Sequence, residues 1–120
     1  MEFNSDFKYD LKVGQVAEEQ LAFILGCKVE VKNDLKAHIT GNVFIEYQSR
    51  GKSSGIATSE AEYYCIVIKS TRFIILPKDE LKKMCRKYIG TSRDVVGGDS
   101  NTSKGILLPL KDLINGDSSN

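Results

Sequence analysis

The residue types best suited to chemistry in this sequence lie in one short stretch around two apolar segments. Asp34 follows a short alternating segment, and Glu46, Tyr47 and Gln48 close the apolar run 43–45. A carboxylate at the end of a buried strand is costly unless something binds it. Clustered carboxylate oxygens are ligands that Mg²⁺ and Mn²⁺ accept, usually together with several waters. We therefore expect Asp34 and Glu46 to share a divalent cation.

The segments that carry these two acids predict how they meet. Residues 29–34 alternate apolar and charged side chains with a period of two, and residues 43–48 form the next apolar strand. Residues 40–42, Thr-Gly-Asn, are typical of a turn, so the two segments are predicted to pair as an antiparallel hairpin. In one register of this hairpin, Asp34 and Glu46 are diagonal neighbours within roughly 7–8 Å. A solvated sheet face is the ordinary alternative for such a pair.

The remaining pattern predicts an α/β domain, with a mixed central sheet flanked by helices. A first helix near residues 10–25 ends at Gly26 and should pack close to both strands of the hairpin. The length of 120 residues suits one domain, 1–120, with residues 1–9 and 115–120 frayed. The further predicted elements are strands in 63–69 and 71–77, a helix in 77–90, and a last strand with a short helix in 104–114.

Composition narrows the environment of the protein. A net charge of +1 gives no overall basic field, so nucleic-acid binding would need cations gathered on one face. The three cysteines, Cys27, Cys65 and Cys85, are odd in number and far apart, which favours free thiols in a reducing compartment. With His38 as the one histidine, zinc ligands are scarce. No apolar run reaches a membrane span, and residues 1–12 are too charged for a signal peptide, so we expect an intracellular, cytoplasmic protein.

A family resemblance rests on the same residues. Asp34, eleven intervening residues and then Glu46-Tyr47-Gln48 after an apolar strand resemble the motif of the PD-(D/E)XK nuclease superfamily. The segment 29–64 is similar to small phage and bacterial members that resemble Holliday-junction resolvases, and the similarity covers roughly residues 14–110. The resemblance implies a restriction-endonuclease-like fold and Mg²⁺- or Mn²⁺-dependent hydrolysis of DNA phosphodiester bonds, with branched or junction DNA as one candidate substrate.

The resemblance also implies roles for individual acids. Asp34 and Glu46 match the two acids of the motif and would bind the metal ion. Glu18 matches the acid that many members carry on the first helix and would complete the metal site. Its neighbour Glu19 is a possible substitute, and a plain exposed helix acid is the alternative for Glu18.

The catalytic lysine of the family pattern is the main departure. Its position is occupied by Gln48, which can hydrogen-bond a water but carries no charge. Lys32 lies two residues before Asp34, so on a continuous strand both share one face, and Lys32 could supply the missing ammonium. A solvent-facing strand lysine is the alternative for Lys32.

A second alignment of the motif competes with the first. Glu30-Val31-Lys32 spells E-x-K directly, and Asp10 lies upstream. That alternative requires Asp10 to open a strand, although its surroundings favour a helix, and it leaves Glu46 unexplained.

Basic residues next to the acids suggest contacts with phosphate. Arg50 and Lys52 lie in the Gly- and Ser-rich segment 49–55 directly after Glu46, where backbone N–H groups and cations can hold a phosphate. Lys104 is a further candidate. A glycine-rich solvated turn is the alternative for this segment.

Two functions from different classes follow from these observations. The first is a metal-dependent DNA endonuclease with Asp34, Glu46, Gln48 and Lys32 as catalytic residues, and a homodimer would suit cuts in two strands. The second is a non-catalytic nucleic-acid-binding or assembly module that keeps the nuclease fold, a hypothesis that Gln48 in place of lysine supports.

Overall fold

A computed structural model describes residues 5–116, with the side chains of residues 5–11 and of Asp99 excepted. Helices lie against strands of a mixed sheet, which confirms the predicted α/β class. The elements are α1 (Ser5–Leu25), β1 (Val29–Asn33), α2 (Ala37–Thr40), β2 (Asn42–Ser49), β3 (Lys52–Ser53), β4 (Tyr63–Lys69), β5 (Arg72–Pro77), α3 (Lys78–Arg86), β6 (Asp94–Gly97), β7 (Ser103–Pro109) and α4 (Leu110–Asn115), with 3₁₀ turns at Gly55–Ala57 and Asp99–Asn101.

The strands form two hydrogen-bonded groups. One has the order β1-β4-β5, in which β1 runs parallel to β4 and β5 antiparallel to it. The other has the order β3-β2-β7-β6 and is antiparallel throughout. Thus β1, which Asp34 directly follows, and β2, which carries Glu46, lie in different groups.

The predicted hairpin between residues 29–34 and 43–48 is therefore wrong. The short helix α2 separates the two strands, and Gly41 ends this helix with a left-handed φ of 76° while its N–H donates to the carbonyl of Ala37. Thr40-Gly41 is thus a helix C-terminus, a role that glycine fills as readily as it fills a hairpin turn. Strand β1 pairs in parallel with β4, and the chain between them, which includes α2, β2 and β3, forms the long crossover connection that parallel strands require.

Strand β2 has one face in the core. Val43 and Ile45 are buried, whereas Phe44 and Glu46, which alternate with them, are half-buried on the other face. The core contains further side chains from β4, β7 and α3, among them Ile66, Ile106, Leu108, Leu81 and Met84.

Helix α1 is much less covered than the prediction required. Of its side chains that the structure describes, none is buried, and Phe23 and Leu25 are 66% and 70% exposed. The helix borders a groove with Tyr63, Ile75 and Pro77 of β4 and β5, whereas the sequence predicted packing close to residues 29–34 and 43–48. The helix begins at Ser5, so it already contains residues 5–9, which were predicted to be frayed.

Asn115, also predicted to be frayed, belongs to α4, and the predicted ends 1–4 and 117–120 lie outside the described residues. Among the helices that the structure describes, none is long and apolar enough to cross a membrane. The three cysteines are free thiols.

Candidate functional site: an acidic recess between the two strand groups

The acidic recess is an open cavity at which side chains from both strand groups converge. Glu30 and Lys32 of β1 and Glu46 of β2 line it, together with Tyr64 and part of the turn Gly55–Ala57. Its volume is about 190 Å³. Lys32 and Glu46 are half-buried and Glu30 is exposed, so charged groups of both signs meet at a partly solvated site.

Glu46 is held in place by the chain that follows the β2–β3 hairpin. Ser54 Oγ donates a hydrogen bond of 2.9 Å to Glu46 Oε2, and Ser54 N–H donates to the carbonyl of Tyr47. Gly55 then passes so close that a Cβ there would lie 2.2 Å from the carbonyl oxygen of Glu46. Glu46 therefore has one oxygen fixed by Ser54, while its Oε1 has no partner among the described residues and is available to a ligand.

Glu30 is fixed in a similar way on the opposite strand group. Ser59 Oγ donates a hydrogen bond of 2.9 Å to Glu30 Oε1. Glu30 and Lys32 belong to the competing alignment of the motif, but its third member, Asp10, lies within helix α1, so the requirement that Asp10 opens a strand is wrong. The structure instead places Glu30 and Lys32 in the same recess as Glu46.

Asp34 lies just outside the acidic recess and binds backbone. Its Oδ1 accepts the N–H of Lys36 at 3.0 Å, and its Oδ2 accepts the N–H of Phe44 at 3.1 Å. It thereby connects the end of β1 to the start of β2. Phe44 precedes Glu46 by two residues, about 7 Å along a strand. Lys32 lines both the acidic recess and the shallow surface that contains Asp34.

Gln48 does not line the acidic recess, because β2 is interrupted by a bulge. Glu46 pairs with Gly105 and Gln48 pairs with Lys104, with a register shift between them. Gly105 and Lys104 are consecutive on β7, so these two positions lie on opposite faces of the sheet. Residues that pair across two strands share a face. Glu46 and Gln48 therefore point to opposite faces, and Lys32 is the nitrogen-bearing side chain of the recess.

The acids of the first helix lie elsewhere. Glu18 is exposed, and Glu19 borders the groove beside Tyr63 and Ile75. Neither side chain lines the acidic recess, so the structure does not bring Glu18 to Glu46.

The basic segment after β2 is a tight hairpin. Ser49 pairs with Lys52, and the two residues between them, Arg50 and Gly51, have left-handed φ angles of 51° and 78°. Two positive φ angles are typical of a type I′ turn. Arg50 N–H donates to the carbonyl of Thr102, and the side chains of Arg50 and Lys52 are exposed. The turn thus presents two cations to solvent from the strand that carries Glu46.

Lys104 belongs to a separate cluster on the other face. Its Nζ lies 6.0 Å from the centre of the Tyr47 ring, and Tyr47 Oη donates a 2.6 Å hydrogen bond to Asp94. Burial and the bond to Asp94 raise the pKa of Tyr47. The hydrogen bond from Tyr47 and another from Gly90 N–H hold the pKa of Asp94 below its ordinary value, against the effect of burial.

Within the part of the chain that the structure describes, no group of three or more His, Cys, Asp or Glu side chains is close enough to hold a metal ion. Comparison of the chain with protein-family models, with curated proteins and with solved structures gives no match. The nuclease resemblance and the metal-binding pair Asp34 and Glu46 therefore stay predictions.

Sequence reasoning missed the residues that support the two glutamates. Ser54 and Gly55 contact Glu46 and Ser59 bonds Glu30, and no local pattern reveals such contacts between segments. The position of Glu30 could have been predicted, because residues two apart on a strand share a face and Glu30 therefore lies on the same face of β1 as Lys32.

Proposed function

We propose that this protein is a metal-dependent DNA endonuclease that hydrolyses phosphodiester bonds at the acidic recess. One observation carries the proposal: two carboxylates, Glu30 and Glu46, and the ammonium of Lys32 come from different strand groups and line one partly solvated recess. Asp34 adds a third carboxylate beside Lys32. Carboxylates around a lysine in a cleft form a combination suited to the charges of phosphate chemistry.

In this proposal Glu30 and Glu46 would be the two protein ligands of a hydrated Mg²⁺ or Mn²⁺ ion. Glu30 and Glu46 each use one oxygen for a serine hydroxyl and have no further partner among the described residues. Mg²⁺ usually takes one or two carboxylates and keeps several waters, which agrees with an open recess. Asp34, the predicted partner of Glu46, keeps one lone pair on each oxygen beyond its two backbone bonds. When bound, the ion would offset charge on the scissile phosphate and acidify a water.

The residues of the chain have distinct tasks in this proposal. Ser54 holds one oxygen of Glu46, so that the other faces the recess in a fixed orientation. Lys32 donates hydrogen bonds to a phosphate oxygen or to the attacking water, the task that the resemblance assigned to position 48. Gln48 points to the opposite face and takes no part in the reaction.

The hairpin turn at Arg50 and Lys52 would hold the DNA backbone. Both side chains are exposed: Arg50 lies in the turn that follows β2, and Lys52 begins β3. Cations in this position attract phosphates without reading sequence. Lys104 is a weaker candidate, because its ammonium already lies near Tyr47 and Asp94.

A homodimer would place two acidic recesses on one DNA molecule, as cuts in both strands of a branch require. Helix α1 supports this part of the proposal, since Val13, Val16, Leu21, Phe23 and Leu25 are each 47% exposed or more. Apolar surface of this extent on one element favours association with a second copy. A reducing compartment inside the cell fits the three free thiols.

Incubation of the purified chain with branched, flapped and linear DNA, with and without Mn²⁺, tests the proposal. We expect metal-dependent cleavage of at least one substrate. The competing hypothesis of a non-catalytic nucleic-acid-binding module predicts binding without cleavage under all of these conditions. Calorimetry with Mn²⁺ separates the two again, because the module has no reason to bind the ion.

A further inference from the structure

A second recess lies on the other face of β2 from Glu46, and it is almost entirely apolar. Ile45 and Ile106 form its floor, and Tyr47, Ile89 and Cys85 contribute to its walls. Its remaining lining residues are Ile56, Ala57, Lys82 and Arg86. We call this cavity the apolar recess. The charged residues of the acidic recess do not line the apolar recess, and the two cavities share only Ile45 and Ile56 among their described lining residues.

The charged groups that line the apolar recess are two cations. Lys82 and Arg86 lie one turn apart on α3, so both side chains project from the same side of the helix. Lys82 is half-buried, Arg86 is exposed, and neither has an ion-pair partner among the described residues. Asp94 is the nearest carboxylate to Tyr47, and it is already occupied by Tyr47 Oη and Gly90 N–H. Lys82 and Arg86 thus make the rim positive, while Asp94 keeps its negative charge at the hydroxyl end of Tyr47.

The size of the apolar recess, which is open to solvent on one side, suits a single ring. Its volume is about 180 Å³. An apolar cavity of roughly 150 Å³ accommodates a benzene molecule. Apart from the two cations and the Tyr47 hydroxyl, which bonds Asp94, the lining side chains carry no oxygen or nitrogen that could pair with polar groups along the edge of a ring. Burying such groups without hydrogen bonds is costly. A plain aromatic ring fits this interior better than a nucleobase.

From these observations we infer that the apolar recess binds a small aromatic acid, a single apolar ring bearing a carboxylate or another anionic group. The ring occupies the space between Ile45, Ile106 and Tyr47. The anionic group meets Lys82 and Arg86 at the rim. This inference does not depend on the proposed nuclease activity, because neither the metal ion nor DNA takes part in the binding.

Titration of the metal-free full chain with 4-fluorobenzoate, followed by ¹⁹F NMR, tests the inference. We expect saturable binding with a Kd on the order of 1 mM, as suits a ligand of this size. The neutral analogue 4-fluorobenzamide should bind at least about threefold more weakly, because it lacks the charge that the rim cations attract. Thymidine 5′-monophosphate, which combines one ring with an anion, is added as a competitor, and it should displace 4-fluorobenzoate with an affinity weaker than that of 4-fluorobenzoate itself.

Matched variants locate the site. Arg86→Gln should weaken 4-fluorobenzoate binding by roughly three- to fivefold, and Arg72→Gln, which removes an exposed arginine on β5, should leave it unchanged. Ala57→Phe should fill the cavity and abolish binding, whereas Thr58→Phe, at the next residue and outside the lining, should not. Because Arg86 is exposed, Arg86→Gln keeps the test decisive if Ala57→Phe fails to fold.

Three results would overturn the assignment. The first is absence of saturable 4-fluorobenzoate binding to the wild type. The second is unchanged affinity in Arg86→Gln or in folded Ala57→Phe, which would place any bound acid elsewhere. The third is displacement of 4-fluorobenzoate by the nucleotide with an affinity tighter than that of 4-fluorobenzoate, which would make the cavity a nucleotide site.

Discussion

Gly55 gives the sharpest test of how Glu46 is positioned. Its φ is +53°, and a Cβ at this position would lie 2.2 Å from the carbonyl oxygen of Glu46 and 2.8 Å from the carbonyl carbon. Both contacts are with backbone, so no side chain can move aside to relieve them. Gly55→Ala therefore forces the turn Gly55–Ala57 away from β2 and strains the backbone.

Gly41 offers a matched control for this substitution. Its φ of +76° imposes a similar conformational penalty, but a Cβ there would meet nothing within 4 Å. Placing an L-residue in left-handed conformation costs roughly 1–2 kcal/mol. Inserting a carbon into an occupied position adds about 1–3 kcal/mol. We therefore expect losses in unfolding free energy of about 1 kcal/mol for Gly41→Ala and about 3 kcal/mol for Gly55→Ala.

Urea denaturation and thermal melting measure the difference between the two variants. At roughly 4 °C per kcal/mol for a domain of this size, Gly55→Ala should melt about 8 °C below Gly41→Ala. Equal losses in the two variants would show that Gly55 does not press against β2, and the account of how Glu46 is held would then be wrong.

Three further predictions concern other parts of the chain. Arg50→Asn places at this turn a residue that favours the left-handed conformation, so stability should be unchanged or raised. The slope of log K for DNA binding against log salt concentration should become shallower by about one unit, because one phosphate contact is lost. An unchanged slope would place the turn outside the interface. Tyr47→Phe removes the hydrogen bond that holds the pKa of Asp94 low. The hydrogen bond from Tyr47 to the ionised Asp94 stabilises the folded state above the ordinary Asp pKa of about 4, and this stabilisation is lost as the pH falls through the lower pKa of the folded state. Urea denaturation should therefore show a smaller loss of stability between pH 6 and pH 3 in Tyr47→Phe than in the wild type. An identical loss would contradict the assignment. Burial raises the pKa of Cys85 to about 12. Iodoacetamide at pH 8 should therefore modify Cys27 and Cys65 before Cys85 in the folded protein, as mass spectrometry can follow. Preferential modification of Cys85 would contradict its burial.

Most elements of the fold could be predicted from local pattern. The apolar runs 63–69 and 71–77 form β4 and β5, and the charge gradient after Pro77 marks α3. Strand pairing could not be predicted in the same way, because Thr40-Gly41 ends a helix here and a turn signal does not distinguish the two. Strand β6 was missed because four residues inside a glycine-rich segment carry too little periodicity.

The candidate site was predicted in part. Glu46 and Lys32 line one recess, although the hairpin expected to unite the acids does not form. The bulge after Glu46 places the side chain of Gln48 on the opposite face of the sheet from Glu46. The extra residue of such a bulge has no sequence signature in an otherwise regular strand. Glu30 and Glu46 were treated as members of exclusive alignments, and the fold brings both to the same recess because β1 and β2 approach each other from different strand groups.

The role of Glu46 is the central claim, and DNA cleavage by Glu46→Gln tests it most directly. The substitution keeps the shape of the side chain and its capacity to bond Ser54. Glu60→Gln is the control, because Glu60 is an exposed acid whose ion pair with Lys28 contributes little. We predict that Glu46→Gln abolishes Mn²⁺-dependent cleavage while DNA binding is kept or tightened, and that Glu60→Gln cuts at the wild-type rate. Cleavage by Glu46→Gln at the wild-type rate would contradict the assignment of the acidic recess as the catalytic site.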